Sequence, residues 1–483
     1  MTDQSLVVDV GTSGVRAAVI DGDARVTHLH HESVLPSSPM PGFVEFDAAA
    51  MARAVLTVAS AAAEGAGAIA AVGITNQRAS TVVWDLATGE PVGPGVGWQD
   101  LRTVAMCLML QAQGIRVAPN VSATKLAFLL DMADPDRSRN LCFGTVDSWV
   151  AWTLSGGSAH VIDATNAAVT GLVNQDATDW DDTILDALRI PRSVLPTIVD
   201  SSGECGSASA LPGAPPIAGL VGDQQGSLIG QGCVHPGTAK ITFGTGGMLD
   251  LVTGDTRPTA AQRSDAGCFP IVAWRRAGRT VWGLEAAMLS AGTCVEWLRD
   301  DLGLIDDAAQ SDALAASVPD SGDVWFVPAL LGLGAPYWDF GARGTLLGLT
   351  RGSTRAHVVR AVLEGVAHRG ADLIEAAEAD SHTRIDTVRV DGGMSANATF
   401  VQALADASGR PVEVSPEREA TTLGAAYLAG LAVGTWKDEE EIAARWNPAQ
   451  VVEPTSKNPR RDRWAAAVDR AKATVPELSA LDF

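Results

Sequence analysis

The pattern of apolar and polar positions divides the chain into two similar halves. Residues 5–20 contain two apolar stretches separated by a short Gly/Thr/Ser loop, which predicts a β-hairpin. Residues 239–253 repeat this arrangement, with Gly-Thr-Gly-Gly at 244–247 between the apolar stretches. Each half also contains α/β units and ends in a Gly- and Ala-rich helix, at 223–232 and at 422–434. The pattern therefore predicts an internal duplication, with two α/β domains facing each other.

The length of the chain supports this division. A chain of 483 residues is too long for one ordinary hydrophobic core. We place the first domain at 1–238, the second at 239–440, and a charged, solvated, helical appendage at 441–483. Residues 200–216 are rich in Ser, Gly, Ala and Pro and are predicted to form a loop, and residues 284–302 are predicted to form a helix.

Charge and composition argue against several classes of function. The formal net charge of −22 at pH 7 disfavours nucleic acid or an anionic membrane as the main partner. No apolar run reaches the roughly 18 residues of a membrane-spanning helix. The first residues lack the pattern of a secretory signal, and the six cysteines lack CxxC spacing. We therefore expect a cytoplasmic protein whose cysteines are isolated core residues.

The stretch at 219–232 contains the first candidate catalytic residue. It indicates a buried strand, a turn at Gly222, and a helix that starts at Asp223 and contains further glycines. Each glycine inside a helix costs about 1 kcal/mol relative to alanine, so several together indicate that another group approaches this backbone closely. Asp223 is either the N-cap of the helix, a common role for Asp, or a general base.

The tips of the two predicted hairpins are candidates for binding phosphate. They offer backbone N–H groups and hydroxyls, which suit phosphate oxygens. They are not Walker loops, because no GxxxxGK[ST] pattern occurs in the chain. An ordinary polar turn is the alternative for a single hairpin. The second copy of the motif weighs against that alternative.

Two short patterns are set aside as sites. Residues 339–341 spell Asp-Phe-Gly, the metal-binding triplet of protein kinases, but the accompanying catalytic-loop and strand-lysine motifs are absent. The cluster of His28, His30 and His31 lies on a short predicted strand without the ligand spacing of a metal site. We predict a surface position for these histidines.

Motifs along essentially the whole chain resemble those of the FGGY family of carbohydrate kinases, and within that family those of the glycerol kinases. They include Gly-Asp-Gln-Gln at 222–225, Phe-Gly-Thr-Gly at 243–246 and Val-Asp-Gly-Gly-Met-Ser-Ala-Asn at 390–397. The other matching segments are 9–16, 73–85, 97–103, 122–126, 143–149, 331–339 and 344–364. Any one of these motifs is a weak signal, whereas this many in order over the full length is a strong one.

The resemblance implies both a fold and an activity. The fold is α/β, duplicated as in actin, the sugar kinases and Hsp70 (ribonuclease H-like), with a nucleotide cleft between the two lobes. The activity is transfer of the γ-phosphate of ATP, with Mg²⁺, to a hydroxyl of a small polyol or sugar. The family expectation for assembly is a homodimer.

The resemblance also assigns roles to individual residues. Asp223 matches the catalytic base, and Asp9 and Asp223 match the carboxylates near the metal. Positions that match the nucleotide site are Thr12, Ser13, Arg16, Gly244, Thr245, Gly246, Gly292, Gly392, Gly393 and Asn397. Positions that match the acceptor pocket are Arg78, Ala79, Trp98, Asn120, Asp223, Gln224 and Met248.

Three positions of the acceptor pocket depart from the glycerol kinase pattern. Ala79 stands where those proteins carry Glu, Asn120 where they carry Tyr, and Met248 where they carry Phe. These changes remove a hydrogen-bond acceptor and shrink the pocket wall, so we predict a larger polyol or open-chain sugar as the acceptor. The alternatives are a true glycerol kinase, a pentulose kinase and, from another class, a catalytically silent, actin-like ATP-binding protein.

A regulatory feature of some glycerol kinases is missing from the segment before Gly222. Glycerol kinases that respond to fructose 1,6-bisphosphate carry a Gly-rich, Arg-containing loop there. Residues 207–216 of this chain contain neither Arg nor Lys. We therefore predict no inhibition by that bisphosphate.

Overall fold

The computed structural model describes residues 3–259, 263–416, 419–455 and 460–481. The strands in these ranges are β1 (Ser5–Val10), β2 (Gly14–Ile20), β3 (Val26–Ser33), β4 (Glu45–Phe46), β5 (Ala71–Asn76), β6 (Val82–Asp85), β7 (Gly95–Val96), β8 (Leu141–Gly144), β9 (Val161–Asp163), β10 (Thr197–Val199), β11 (Ser202–Ser207), β12 (Pro216–Gly222), β13 (Ala239–Phe243), β14 (Gly247–Gly254), β15 (Phe269–Arg276), β16 (Arg279–Met288), β17 (Trp325–Val327), β18 (Thr345–Leu347), β19 (Val388–Asp391), β20 (Val412–Val414) and β21 (Gln450–Val452).

The helices in the same ranges are α1 (Ala48–Ala63), α2 (Val104–Ala112), α3 (Ser122–Ala133), α4 (Val146–Leu154), α5 (Ala164–Ala168), α6 (Asp182–Leu188), α7 (Asp223–Gly230), α8 (Gly292–Asp300), α9 (Gln310–Ala316), α10 (Arg355–Ser381), α11 (Ala398–Ser408), α12 (Ala420–Val433), α13 (Glu439–Ala443), α14 (Arg461–Ala471) and α15 (Pro476–Ser479). None of these described helices combines the length and the apolar character that crossing a membrane requires.

Thirteen of the described strands form one sheet, in the order β21-β20-β19-β13-β14-β16-β15-β11-β12-β5-β1-β2-β3. In the first half, β2 lies antiparallel between β1 and β3, while β1, β5 and β12 run parallel. In the second half, β14 lies antiparallel between β13 and β16, while β13, β19 and β20 run parallel. The same order of pairings thus occurs twice, which confirms the predicted duplicated α/β fold. Both predicted hairpins are present, as β1–β2 and β13–β14.

Helices cover both faces of the first half of the sheet. Asp47 caps α1, whose buried face includes Met51, Val55 and Val58 and packs against β2 and β3. Helix α12 belongs to the second half by sequence but packs against β1, β5 and β12 of the first half. Strand β1 is therefore buried throughout, and its sequence is accordingly almost continuously apolar.

Glycines allow the backbone of α12 to contact the backbone of α7 and β12 in the first half of the molecule. A Cβ added to Gly226 of α7 would lie 3.1 Å from the carbonyl oxygen of Thr421, and Gly424 of α12 leaves no room for a Cβ beside the backbone of Gly226. A Cβ on Gly219 of β12 would lie 2.6 Å from the backbone nitrogen of Ala429. The group that approaches the Gly-rich stretch at 219–232 is therefore α12, which crosses α7.

Two local predictions, one on each side of the second hairpin, are only partly right. Leu284 to Met288 complete β16, and the helix α8 begins only at Gly292. Leu, Glu, Ala and Met are good helix formers, but pairing with β14 and β15 on either side overrides that preference. The predicted loop at 200–216 contains β11, which pairs with β12 and meets β15 at the junction between the two halves of the sheet.

The C-terminal segment is packed against the second half of the molecule, so the prediction that it is solvated is wrong. Strand β21 extends the main sheet beside β20. Trp464 of α14 is 1% exposed, stacks on His368, and donates its indole N–H to Asp372 of α10 at 3.1 Å. Apolar residues spaced along α14, including Val468, form the buried stripe that the charged neighbours obscured in the sequence.

The Asp-Phe-Gly triplet and the histidine cluster, which we set aside as sites, both lie in ordinary structural surroundings. The Asp339 carboxylate accepts hydrogen bonds within its own turn and from the Ser479 hydroxyl at 2.6 Å, which ties the C-terminal helix to this turn. His28, His30 and His31 are exposed on β3, as predicted. Within the described part of the chain, no group of three or more potential ligands is arranged to hold a metal ion.

Candidate active site

Asp223 is the first residue of α7 and directly follows the buried strand β12. Gly222 occupies the N-cap position, and Asp223 Oδ1 accepts a hydrogen bond from the backbone N–H of Gln224 at 2.8 Å. The side chain is 35% exposed, and burial of the remainder raises its pKa, against the opposing effect of Arg78. Asp223 is therefore not the N-cap, and its carboxylate is accessible and suited to accept a proton.

Arg78 lies in the loop after β5 and joins Asp223 to the second half of the molecule. Its Nε lies 3.4 Å from Asp223 Oδ1, and its Nη2 lies 2.7 Å from Glu285 Oε2. Its Nη1 donates to the Gln225 side chain at 3.3 Å. Burial lowers the pKa of Arg78, but Glu285, Asp223 and Asp250 outweigh this effect and raise it above its usual value. The guanidinium therefore stays charged beside the candidate base.

A row of three charged residues lies behind Arg78 and Gln224. Lys240, Asp250 and Glu285 stand opposite one another on β13, β14 and β16. Lys240 Nζ lies 2.7 Å from Asp250 Oδ2, and both side chains are completely buried. Lys240 also donates to Gln224 Oε1 at 2.7 Å and to Thr242 Oγ1 at 2.8 Å. Burial raises the pKa of Glu285 to about 7.

This charged row was not predicted from the sequence, although part of it had a readable signal. Lys240 and Asp250 interrupt the two apolar arms of the predicted hairpin at positions equally far from its tip. Residues so placed face each other across a hairpin, and opposite charges there attract. The partner Glu285 had no such signal, because its stretch was predicted to be a helix.

The first hairpin tip lies beside Trp98, a residue predicted for the acceptor pocket. Ser13 and Thr12 form the tip, and the indole N–H of Trp98 donates to Thr12 Oγ1 at 3.4 Å. Arg16, on the outgoing strand β2, donates to Glu419 at the start of α12 at 2.7 Å. The structure therefore brings the predicted phosphate hairpin together with the predicted pocket residue Trp98.

A buried lysine holds the backbone of two residues that were predicted for the acceptor pocket. Lys125 of α3 is completely buried, and its Nζ donates to the backbone oxygens of Trp98 at 3.2 Å and Asn120 at 3.0 Å. Burial lowers the pKa of Lys125 to about 7. The Asn120 side chain is exposed, while 38% of Trp98 is exposed. Lys125 thus fixes the backbone from which both pocket residues project.

Ala79 lies in the first half of the chain and Met248 in the second. Ala79 follows Arg78 with a left-handed φ of 60°, and its carbonyl accepts a hydrogen bond from Ser122 Oγ at 3.1 Å. The left-handed region is uncommon for a residue other than Gly, Asn or Asp, so this turn is held in place by its surroundings. Met248 lies in β14 opposite Thr242, two pairs nearer the hairpin tip than Asp250.

The second hairpin tip is docked on the start of α8. The backbone N–H of Gly292 donates to the carbonyl of Gly244 at 2.9 Å. A Cβ on Gly246 would lie 2.7 Å from the carbonyl oxygen of Met288, so only glycine fits there without movement. Thr245 is exposed at the tip. The structure thus brings together all four residues predicted for this part of the nucleotide site.

The residues predicted for the adenine side follow β19. Gly392 has φ 86° and lies against the backbone of Phe243, where a side chain would collide, and nothing lies within 4 Å of a Cβ placed on Gly393. Asn397 caps α11 with its side-chain oxygen and donates its amide N–H to Ser311 at 3.0 Å. This capping role is structural, and contact of Asn397 with a nucleotide remains a prediction.

Asp9 and Asp223 were both expected near a metal ion. Burial raises the pKa of Asp9 to about 7, Arg16 opposes this, and the negative charges of Glu419 and Asp223 add to it. Two carboxylates that repel each other in a partly buried site are the kind of pair that a divalent cation stabilises. Mg²⁺ commonly binds through one or two carboxylates together with substrate phosphates and water. The donor set fits Mg²⁺ on these grounds.

The fold and the site together define a class of protein, a duplicated α/β phosphotransferase with a carboxylate that interacts with charged residues of both hairpins. Residues 4–230 match the N-terminal domain of the FGGY family of carbohydrate kinases, and residues 239–433 match its C-terminal domain. The chain belongs to the FGGY family of carbohydrate kinases. It is a phosphotransferase that acts on an alcohol group.

Named relatives agree with this assignment. The glycerol kinase of Aromatoleum aromaticum is 45% identical over 97% of this chain and 99% of its own length. Glycerol kinase 2 of Thermotoga maritima is 43% identical over 96% of this chain and 98% of its own length. The crystal structure of Plasmodium falciparum glycerol kinase with ADP matches at a TM-score of 0.90 with 26% identity, covering 100% of this chain and 99% of that one. The predicted resemblance is confirmed.

Proposed function

We propose that the protein transfers the γ-phosphoryl group of Mg²⁺-bound ATP to a terminal hydroxyl of glycerol. The observation that carries this proposal is the accessible Asp223 carboxylate, held 3.4 Å from the Arg78 guanidinium at the end of a buried strand. The relatives that are 43–45% identical over nearly the full length are glycerol kinases, and the similar glycerol kinase of Plasmodium falciparum was crystallised with ADP. These relatives favour glycerol over the larger acceptor that the sequence predicted.

The roles of the residues follow from the requirements of phosphoryl transfer, which depends mostly on positioning and charge stabilisation. The oxygen of the acceptor hydroxyl bonds to the γ-phosphorus while Asp223 accepts the proton of that hydroxyl. The bond between the γ-phosphorus and the ADP oxygen breaks at the same time. Arg78 donates to a neighbouring hydroxyl of the acceptor and holds it in place. Backbone N–H groups and hydroxyls at 11–13 and 244–246 bind the phosphates.

Asp9 and Asp223 would hold the metal ion, which neutralises phosphate charge when it is bound. Trp98 forms a flat apolar wall between the acceptor and the first hairpin, and Thr12 accepts its indole N–H. Closing the lobes over this pocket would exclude water, which limits transfer of the phosphoryl group to water.

A larger acceptor is the second candidate, and the residues around Arg78 favour it. Ala79 offers only a methyl group beside Arg78, and Asn120 is exposed at the pocket wall. A C4 to C6 polyol or a ketopentose would have room to reach past Ala79. The pentulose kinase alternative falls under this second candidate.

An acceptor screen with ATP and Mg²⁺, measured by ADP release, tests the proposal. Glycerol, erythritol, xylitol and xylulose are compared by kcat/KM. The highest value for glycerol supports the proposal, and a clear preference for the longer acceptors supports the second candidate. No acceptor-dependent ADP release from folded protein would contradict both and favour the silent ATP-binding alternative.

Further features belong to the same proposal. We place the domain boundary between 238 and 239, with residues 441–483 after the second domain. We propose that the enzyme acts in the cytoplasm as a homodimer, as the family resemblance implies. The absence of Arg and Lys from 207–216 supports the proposal that fructose 1,6-bisphosphate does not inhibit it.

A further inference from the structure

Lys240 is a completely buried ammonium group whose contacts all lie near the acceptor pocket. Its Nζ lies 2.7 Å from Asp250 Oδ2, 2.7 Å from Gln224 Oε1 and 2.8 Å from Thr242 Oγ1. An ammonium group has three N–H donors, so these three contacts use its full capacity. Asp250 supplies the counter-charge that a buried cation needs. Lys240 is therefore held rigidly, and Gln224 is the one partner that belongs to α7.

The contact with Lys240 decides which end of the Gln224 amide faces the pocket. A lysine ammonium only donates hydrogen bonds, so the amide oxygen and not the amide nitrogen must face it. The Nε2 group then lies at the other corner of the amide, turned away from Lys240. Within the described residues, no protein atom accepts a hydrogen bond from Gln224 Nε2, and the side chain is only half-buried.

We propose that Lys240 is a positioning residue that fixes Gln224 with its NH₂ group toward the acceptor pocket. Gln224 then acts only as a donor, as Arg78 does. Asp223 next to it accepts. Arg78 and Gln224 thus present hydrogen-bond donors to the pocket, and Asp223 presents a hydrogen-bond acceptor. This arrangement suits a substrate whose hydroxyl oxygens accept hydrogen bonds from Arg78 and Gln224 and whose reacting hydroxyl donates its proton to Asp223.

The two strands of the second hairpin supply the residues that orient Gln224. Lys240 lies on β13 and Asp250 on β14, and the phosphate-type tip at 244–246 joins the two strands. The hairpin that is expected to bind the nucleotide therefore also orients Gln224 in the acceptor pocket. This inference rests on the proposed function for the identity of the pocket, but the bond between Lys240 and Gln224 is tested separately.

Two variants of the Lys240–Gln224 pair test the bond by stability. Gln224→Glu keeps the shape and replaces the amide by a carboxylate, which would pair with Lys240. We expect its thermal midpoint to exceed that of the wild type, and we expect the gain to disappear when Lys240→Met and Asp250→Asn are also present. Asp250→Asn accompanies Lys240→Met because a lone buried carboxylate is strongly destabilising.

The kinetic arm uses glycerol as the acceptor. Gln224→Glu and the double variant Lys240→Met/Asp250→Asn are both expected to raise KM for glycerol roughly tenfold, the effect of losing one hydrogen bond of about 1.4 kcal/mol. KM for ATP should stay close to that of the wild type. Thr242→Val is the matched control, because it removes another partner of Lys240 without touching Gln224. Its KM for glycerol should be unchanged even if its stability falls.

The outcomes separate the inference from the proposed function. A thermal midpoint of Gln224→Glu that does not exceed that of the wild type, or a gain that persists without Lys240, would overturn the inference whether or not glycerol is a substrate. Unchanged KM for glycerol in Gln224→Glu would also overturn it, because the amide NH₂ would then be dispensable. Intact coupling between Lys240 and Gln224 with no turnover of glycerol would leave the inference standing and contradict glycerol as the acceptor.

Discussion

Arg78 Nη2 lies 2.7 Å from Glu285 Oε2, so an ion pair joins the two halves of the chain directly behind the candidate base. Arg78 follows β5 of the first half, and Glu285 lies in β16 of the second. The same guanidinium lies 3.4 Å from Asp223. The position of the arginine, and through it the charge around Asp223, therefore depends on both lobes.

Replacing Arg78 by lysine is expected to lower kcat/KM for the acceptor by about 10²-fold or more, with a smaller effect on KM for ATP. A lysine has one nitrogen and cannot contact Glu285, Asp223 and an acceptor hydroxyl together as the planar guanidinium does. Steady-state kinetics in both substrates check this. Arg279→Lys, which changes an exposed arginine paired with Asp255, is the control and should behave as the wild type.

The helix crossing predicts a stability change far from the chemistry. Gly424→Ala would push a methyl group into the backbone of Gly226, and overpacking of this kind costs about 1–3 kcal/mol or more. Urea unfolding should show that loss. Gly93→Ala is the matched control, since nothing lies within 4 Å of a Cβ at that position. Equal stability of the two variants would contradict the close crossing.

The stability of the protein is expected to fall as the pH is lowered from about 6.5 toward 3. Burial lowers the pKa of His368 from 6.5 to about 3, with Arg461 adding to the effect. Below pH 6.5 the unfolded chain binds a proton that the folded chain does not, so His368 contributes stability above pH 6.5 and loses it on acidification. For each proton that only the unfolded chain binds, the free energy of unfolding falls by about 1.4 kcal/mol for every unit by which the pH is lowered.

Urea unfolding at pH 7, 6 and 5 measures this dependence. His368→Gln should reduce the slope between pH 6 and 5, whereas His30→Gln, at an exposed site, should leave the slope unchanged. The prediction fails if the two variants and the wild type share one pH profile. The stacked contact of His368 with Trp464 makes a lower overall stability of His368→Gln an expected side effect.

The sequence predicted the parts of the site that repeat or have a fixed local geometry. The two hairpins were readable because each consists of two apolar strands and a short Gly/Thr tip, and Asp223 because it opens a helix after a buried strand. The position of Glu285 was not readable, because Leu284 to Met288 have helical propensity and only pairing with β14 and β15 makes them a strand. Trp464 was missed for a related reason, since its helix is rich in charge and is buried by contacts with α10, β17 and β18, which are distant in the sequence.

Fructose 1,6-bisphosphate at millimolar concentration is expected to leave the rate of ADP release unchanged. Residues 207–216 carry no Arg or Lys to bind its phosphates, and the chain has a net charge of −22. Assays at saturating and at limiting acceptor measure the effect, with free phosphate at matched ionic strength as the control for screening. Strong inhibition by the bisphosphate but not by phosphate would contradict this expectation.

Asp223→Asn tests the central claim most directly. The asparagine keeps the size of the side chain but cannot accept the proton of the acceptor hydroxyl, and a positioned general base contributes about 10²- to 10⁴-fold to a rate. Single-turnover ADP release and calorimetric binding of ATP are measured on the same preparation of the variant. We predict that turnover falls by that factor while ATP still binds and the thermal midpoint is retained. Turnover close to that of the wild type would show that Asp223 is not the base.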